Sequence, residues 1–280
     1  MITYQPIDLE SLVQLELPPL PDAAMRVAAL TQNLDTSTRA IAEAIGCDPI
    51  LGARVLRAAN SPLHYLERDV STLTMAVNAL GNEAINLLVV ASATSDAFKG
   101  QGKRSAMETA VWGHSLAVGL AAREIMLLLR LRGMDQAFIC GLLHDIGKLL
   151  FLRHDLDAYQ QFVKDVEEKD FLAAEIELFG YTHAQVGALV ARRWSLPEGI
   201  CHAIYHHHQP IHAEQSVLMA RVVEVADALA NKAGVGVWPA NERPIAELES
   251  AIALQLSEDQ LKEVWDKTQL SLSATFALFD

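Results

Sequence analysis

The segment Cys140-Gly-Leu-Leu-His-Asp-Ile-Gly-Lys-Leu-Leu150 constrains this chain more than any other. It sets an imidazole (His144), a carboxylate (Asp145) and an ammonium (Lys148) in an otherwise apolar run. Such a run goes into a core. Burying each of those groups costs several kcal/mol unless it is paired or bound to a metal. Any fold of this chain must therefore bring compensating groups to His144 and Asp145, and a divalent metal is the leading candidate.

The chain around that segment is 280 residues long, 51% hydrophobic and 20% charged, which is enough to bury a substantial core and is a globular composition. Met1-Ile-Thr-Tyr lacks the basic and apolar regions of a signal peptide. No apolar run reads as long enough to span a membrane, since Ala84 to Ala93 is too short and has polar flanks. Cys47, Cys140 and Cys201 are far apart and form no CxxC pair, so they read as reduced core thiols of a cytoplasmic protein. The net charge is −13, and the one basic cluster, Lys99, Lys103 and Arg104, reads as a solvated linker. That balance argues against nucleic acid and anionic membrane as partners.

Ala and Leu dominate and no long alternating pattern occurs, which predicts an all-α fold of many helices. The polar, glycine-containing stretch 99–105 marks a boundary. Residues 1–100 read as an N-terminal helical subdomain, 101–235 as the part that carries the chemistry, and 236–280 as a helical extension. After Leu17-Pro-Pro-Leu-Pro21, helices are expected over 23–33, 37–47, 49–60, 72–80 and 82–98, with a turn at Gly81. Two more are expected near Pro244–Gln255 and Glu258–Phe279, whose Leu254, Leu261, Val264, Trp265, Leu272 and Phe276 would pack on the chain's own domain.

Helical periodicity sorts the histidines by face. His114 lies on a helix opened by a Ser105–Glu108 capping box and shares a face with Met107, Ala110, Ala117, Val118 and Ala121. His183 follows a Thr182–Gln185 capping box and lines up with Val186, Gly187, Val190 and Trp194. Ser195-Leu-Pro-Glu198 reads as the cap of a third helix with Pro197 in its first turn. On that helix His207 and His208 face in, while His202 and His206 face water. Asp227 shares a small-residue face with Ser216, Ala220, Val223 and Ala230. A lone inward histidine or aspartate is ordinarily a hydrogen-bonded core residue. Here several converge, and imidazole with carboxylate suits one or two ions of zinc, iron, manganese or nickel.

The order His114, His144-Asp145, Asp227 resembles the HD metal-dependent phosphohydrolase superfamily, and His183 with the His207–His208 pair resembles the branch that includes HD-GYP proteins. Leu17-Pro-Pro-Leu-Pro21, Asp48-Pro49-Ile-Leu, Val55-Leu-Arg-Ala-Ala-Asn-Ser61, Ala76-Val-Asn-Ala-Leu-Gly81, Trp112-Gly-His-Ser and Trp194-Ser-Leu-Pro-Glu are similar to the HDOD domain, the HD-related output domain. The resemblance runs from about residue 15 to 232. It implies a helical bundle packed with an HD-type bundle, and a role in bacterial signal transduction as an output or interaction module with a signalling protein partner in trans. HD-GYP enzymes carry Glu and then Asp-Gly-x-Gly-Tyr-Pro after the histidine pair. This chain has Gln209-Pro-Ile-His-Ala there, which argues against cyclic di-GMP hydrolysis by that mechanism. Ala110 stands where some relatives supply a further carboxylate, so a third metal is not expected.

The resemblance assigns His114, His144, Asp145, His183, His207, His208 and Asp227 as metal ligands, with Asp145 bridging two ions. The alternative function is a phosphohydrolase in which metal-activated water attacks a nucleotide or phosphodiester. Asp145 and Lys148 would then be catalytic, Lys148 steadying a phosphate oxygen. The plainer reading of Lys148 is a salt bridge to a carboxylate, and that of Gly147 is close helix packing.

Overall fold

A computed structural model describes residues 22–33, 35–60, 70–99, 105–166, 171–194, 196–237 and 244–279. Among these residues all regular structure is helical. The Leu17–Pro21 motif and the basic residues Lys103 and Arg104 lie outside them. The chain forms two compact units. Of the described residues, the larger holds Phe98–Leu270, and the smaller holds those within Pro19–Ala97 together with Ser271 onward. Residues 236–270, set apart in the sequence as an extension, thus belong to the larger unit.

In the smaller unit, α1 is Asp22–Gln32, α2 Thr38–Gly46 and α3 Pro49–Ala59. Local chemistry starts them where the sequence indicates. Ser37 accepts the Ala40 N–H at 3.2 Å, and Asp48 Oδ1 accepts those of Ile50 and Leu51 at 2.9 and 3.1 Å, with Pro49 in the first turn. Ile41, Ile45, Leu51 and Val55 are buried. The Asn60 side chain ends α3 by donating to Leu56 O and exchanging two bonds of 2.8 Å with the Val70 backbone. α4 (Leu73–Lys99) is two helices joined at Gly81, whose φ of 80° and ψ of 165° make the expected turn. Arg54 forks onto Asp96 with two bonds of 2.8 Å.

The larger unit opens with α5 (Ala106–Leu128), capped by the reciprocal Ser105–Glu108 box at 3.1 and 2.8 Å. This helix corrects the expectation about membrane spans. It is long and apolar enough to cross a membrane by length and composition, but 67% of that stretch is buried within the fold. Trp112, Leu116, Ile125 and Met126 make it a core helix. α6 (Met134–Leu143) packs along it, and α7 (Ile146–His154) follows after a break. Then come α8 (Leu156–Asp165) and α9 (Phe171–Phe179), which join α7 through an aromatic cluster. Phe151 stacks on Phe179 at 4.2 Å, and Tyr159, Phe162 and Phe171 complete the cluster. α10 (His183–Arg193) begins at the expected Thr182–Gln185 box. α11 (Glu198–Tyr205), α12 (Val217–Lys232), α13 (Glu249–Ala253) and α14 (Glu258–Phe279) complete the described fold.

Three further expectations change. Ser195 lies outside the described residues, and Pro197 is the N-cap of α11, not a first-turn residue. The Glu198 carboxylate pairs with Arg192 at 2.6 Å. The single helix expected over 244–255 is a 3₁₀ turn (Ile245–Glu247) and then α13, since Leu248 is extended (φ −64°, ψ 138°) and breaks it. Cys140 and Cys201 are buried free thiols, and burial pushes the Cys140 thiol up to about 12. Cys47 is an exposed thiol instead of a core one, since it follows α2 at its C-cap.

Candidate metal centre

His144 and Asp145 do not lie within a helix. They form the break between α6 and α7, with Asp145 at φ −101°, ψ 9°. Gly147 then brings the start of α7 against the start of α10. A Cβ at Gly147 would stand 2.1 Å from the His183 carbonyl oxygen, so any other residue would force the two helices apart. This approach places Asp145 Oδ1 3.2 Å from His183 Nε2. α5 contributes His114 and α12 Asp227, while His207 and His208 lie in the turn after α11, which ends at Tyr205, and not on the helix where the sequence places them.

Four of the five imidazoles are anchored on one side. Nδ1–H of His144 donates to Gly141 O, that of His207 to Ile204 O and that of His114 to Val235 O, each at 2.7 Å. His183 Nδ1–H donates to Glu175 Oε2 at 2.8 Å, and the His183 backbone N–H donates to the same oxygen at 2.7 Å. Spending Nδ1–H this way fixes the tautomer and leaves Nε2 as a free ligand atom.

Those Nε2 atoms converge. His183 Nε2 is 3.2 Å from His207 Nε2 and 3.0 Å from His208 Nε2. His114 Nε2 is 2.9 Å from Asp227 Oδ1, and His144 Nε2 is 3.8 Å from that same oxygen. Ligand atoms of His183, His207 and His208, of His114, His144 and Asp227, and of His144, Asp145 and His207 each lie within 4.8 Å of one another. Asp227 Oδ1 also accepts from Asn231 Nδ2 at 2.9 Å.

The donor set fits a divalent ion on three grounds. His144 Nε2 and Asp145 Oδ1 are buried without a hydrogen-bond partner. Such orphans are costly unless something else satisfies them. Paired Nε2 lone pairs at 3.0–3.2 Å repel one another, yet they match two ligands about 2.1 Å from one ion and roughly at right angles. Protonation favours the same end at three of the histidines and at both aspartates, whereas at His144 a metal would have to displace a proton. Burial, with the neighbouring cationic groups, holds His183 and His207 well below the usual imidazole range and His208 down to about 4, so all three are neutral ligands. Burial works against charge on Asp145 and Asp227 as well. The imidazoles around them outweigh it, with Lys148 assisting at Asp145, and hold both carboxylates ionised. At His144 those carboxylates overcome burial and carry the imidazole up to about 9.

Lys148 takes the plainer of its two readings in this state. Its ammonium is buried, 2.6 Å from Asp145 Oδ2 and over the Phe171 ring. His202, on α11, and His206, its C-cap, lie outside the cluster and are partly exposed. Reasoning from sequence missed Glu175, Asn231 and the Val235 carbonyl. Glu175 had a signal. Phe171, Glu175 and Phe179 form a buried stripe at a four-residue spacing, and a carboxylate in such a stripe needs a partner.

The HDOD domain signature matches residues 17–210. This chain belongs to the HDOD domain family. An HDOD domain protein of unknown function from Geobacter sulfurreducens has a similar crystal structure, with 28% identity, a TM-score of 0.72 and 98% of each chain covered. A candidate phosphohydrolase from Shewanella amazonensis SB2B is also 28% identical, with a TM-score of 0.74, covering 97% of this chain and 96% of that one. Ribonuclease Y of Thermus thermophilus is 33% identical over 132 residues, which is 45% of this chain and 17% of that protein. The chain spans between 17% and 39% of the length of the curated relatives it matches.

Proposed function

We propose that this HDOD protein is a bacterial signal-transduction module built around a retained HD-type metal centre, acting through a signalling protein partner in trans in the cytoplasm. The observation that carries this reading is the convergence of anchored imidazoles on a closed site. His144, Asp145, His183 and His207 are at most 2% exposed. The crevice that reaches the centre, between His114, Asp145, Lys148 and Asn231, has a volume of about 10 Å³. That is room for about one water molecule and far too little for a phosphodiester. His114, His144 and Asp227 would hold one ion and His183, His207 and His208 a second, with Asp145 between them. Iron, manganese, zinc and nickel all suit these donors.

A second reading, hydrolysis of a nucleotide or phosphodiester, draws support from the candidate phosphohydrolase and the ribonuclease among the relatives. A divalent metal supplies a water of near-neutral pKa for such chemistry. In this chain Asp145 would orient that water and Lys148, once released from Asp145, would face a phosphate oxygen.

Purified protein is expected to hold one or two equivalents of transition metal by elemental analysis, lost in Asp145→Ala. Absence of metal from the wild-type protein, with Asp145→Ala equally stable, would sink the metal centre. Turnover across a panel of phosphodiesters and nucleotides, abolished in His144→Ala, would instead establish the second reading.

A further inference from the structure

We propose that the segment Ala233–Val237 is a gate over the metal centre, held shut by the hydrogen bond from His114 Nδ1 to the Val235 carbonyl. The inference rests on the reading of the cluster as a metal centre. α12, which carries Asp227 and Asn231, ends in a complete cap. Gly234 N–H bonds Asn231 O and Val235 N–H bonds Ala230 O, each at 3.0 Å, with Gly234 at φ 69°. Nothing further is needed to finish the helix. The chain nevertheless continues across His114, its carbonyl 2.7 Å from Nδ1. Gly236 makes that crossing possible, at φ 138° and so close that a Cβ would lie 3.1 Å from His114 Nδ1 and 3.3 Å from Cγ. Val237 then joins Val111, His114, Asp145, Lys148 and Asn231 in lining the crevice of about 10 Å³.

Among the described residues, the bond from His114 to Val235 fastens this strap to the centre, and Ala233 and Gly234 are exposed. Any ligand larger than a water that uses this crevice must displace the strap and break the Val235–His114 bond. Breaking it also frees His114 to turn, so the position of the strap and the state of the centre are coupled. The ligand class that fits the groups beneath the strap is a phosphate-bearing small molecule, whose oxygens would meet Lys148, Asn231 and a metal.

The test uses the full chain and two substitutions. Gly236→Ala puts a methyl group on the His114 ring at a φ that L-residues rarely adopt, and lifts the strap. Val237→Ala widens the crevice and leaves the backbone alone. The first readout needs no metal: carbethoxylation of His114 by diethylpyrocarbonate, followed peptide by peptide, with the more exposed His202 as reference. His114 is expected to react slowly in wild type, at least tenfold faster in Gly236→Ala and about threefold faster in Val237→Ala, with His202 unchanged. The second readout is removal of bound cobalt(II) by a chelator, faster in both variants. A folded Gly236→Ala protein with His114 as protected as in wild type overturns the gate. If Gly236→Ala does not fold, Val237→Ala decides, and an unchanged His114 rate there overturns it. A wild-type protein that takes up no cobalt refutes the metal reading, and carbethoxylation still decides the gate.

Discussion

Gly147 sets the distance between the two helix starts that carry Asp145 and His183. With a Cβ position 2.1 Å from the His183 carbonyl oxygen, Gly147→Ala must push α7 and α10 apart, because the obstructing atom is backbone and cannot rotate away. Overpacking of a core typically costs 1–3 kcal/mol, and a backbone clash belongs at or above the top of that range. We expect Gly147→Ala to lower unfolding stability by about 3 kcal/mol in chemical denaturation, with loss of metal uptake. A variant within about 0.5 kcal/mol of wild type would mean that the two helix starts are not rigidly apposed. Glu175 acts at the same scale by another route. It takes both N–H groups that His183 can offer it, and so decides which nitrogen of that ring is left for a metal.

At the scale of elements, caps reliably mark helix starts while apolar faces do so unevenly. The boxes at Ser105 and Thr182 and the Asp48-Pro49 start all form, because each needs only groups within three residues of one another. Asp48→Ala should therefore cost about 1 kcal/mol, measured as a shift in denaturant midpoint with unchanged slope. No shift would show that Pro49 alone fixes the start of α3. Facing arguments were weakest for α5. That helix is buried on nearly all sides, so an inward His114 carries little direction, and the Val235 carbonyl aims its ring.

For the whole molecule, a metal that binds only the folded state adds stability by mass action, about 2.7 kcal/mol at a free concentration one hundred times Kd. In a chain of this size that raises the melting temperature by several degrees. Zinc or manganese should produce the rise, a chelator should reverse it, and His144→Ala should abolish it; an unchanged melting temperature in wild type would separate the centre from folding. The all-α class, most helix starts and the set His114, His144, Asp145, His183, His207, His208 and Asp227 could be read from sequence. The class and the helix starts depend on caps and on the period of a helix, which are local signals, while the full set rests on the family resemblance, since His207 and His208 lie in a turn beyond the helix. Tertiary structure decided the rest. It placed the His144–Asp145 pair at a helix break, gave Lys148 to Asp145, and brought Glu175 to His183 and Val235 to His114 across 121 residues of sequence. It also closed the crevice, because room beside a site depends on how distant segments pack, and no short stretch of sequence contains that distance.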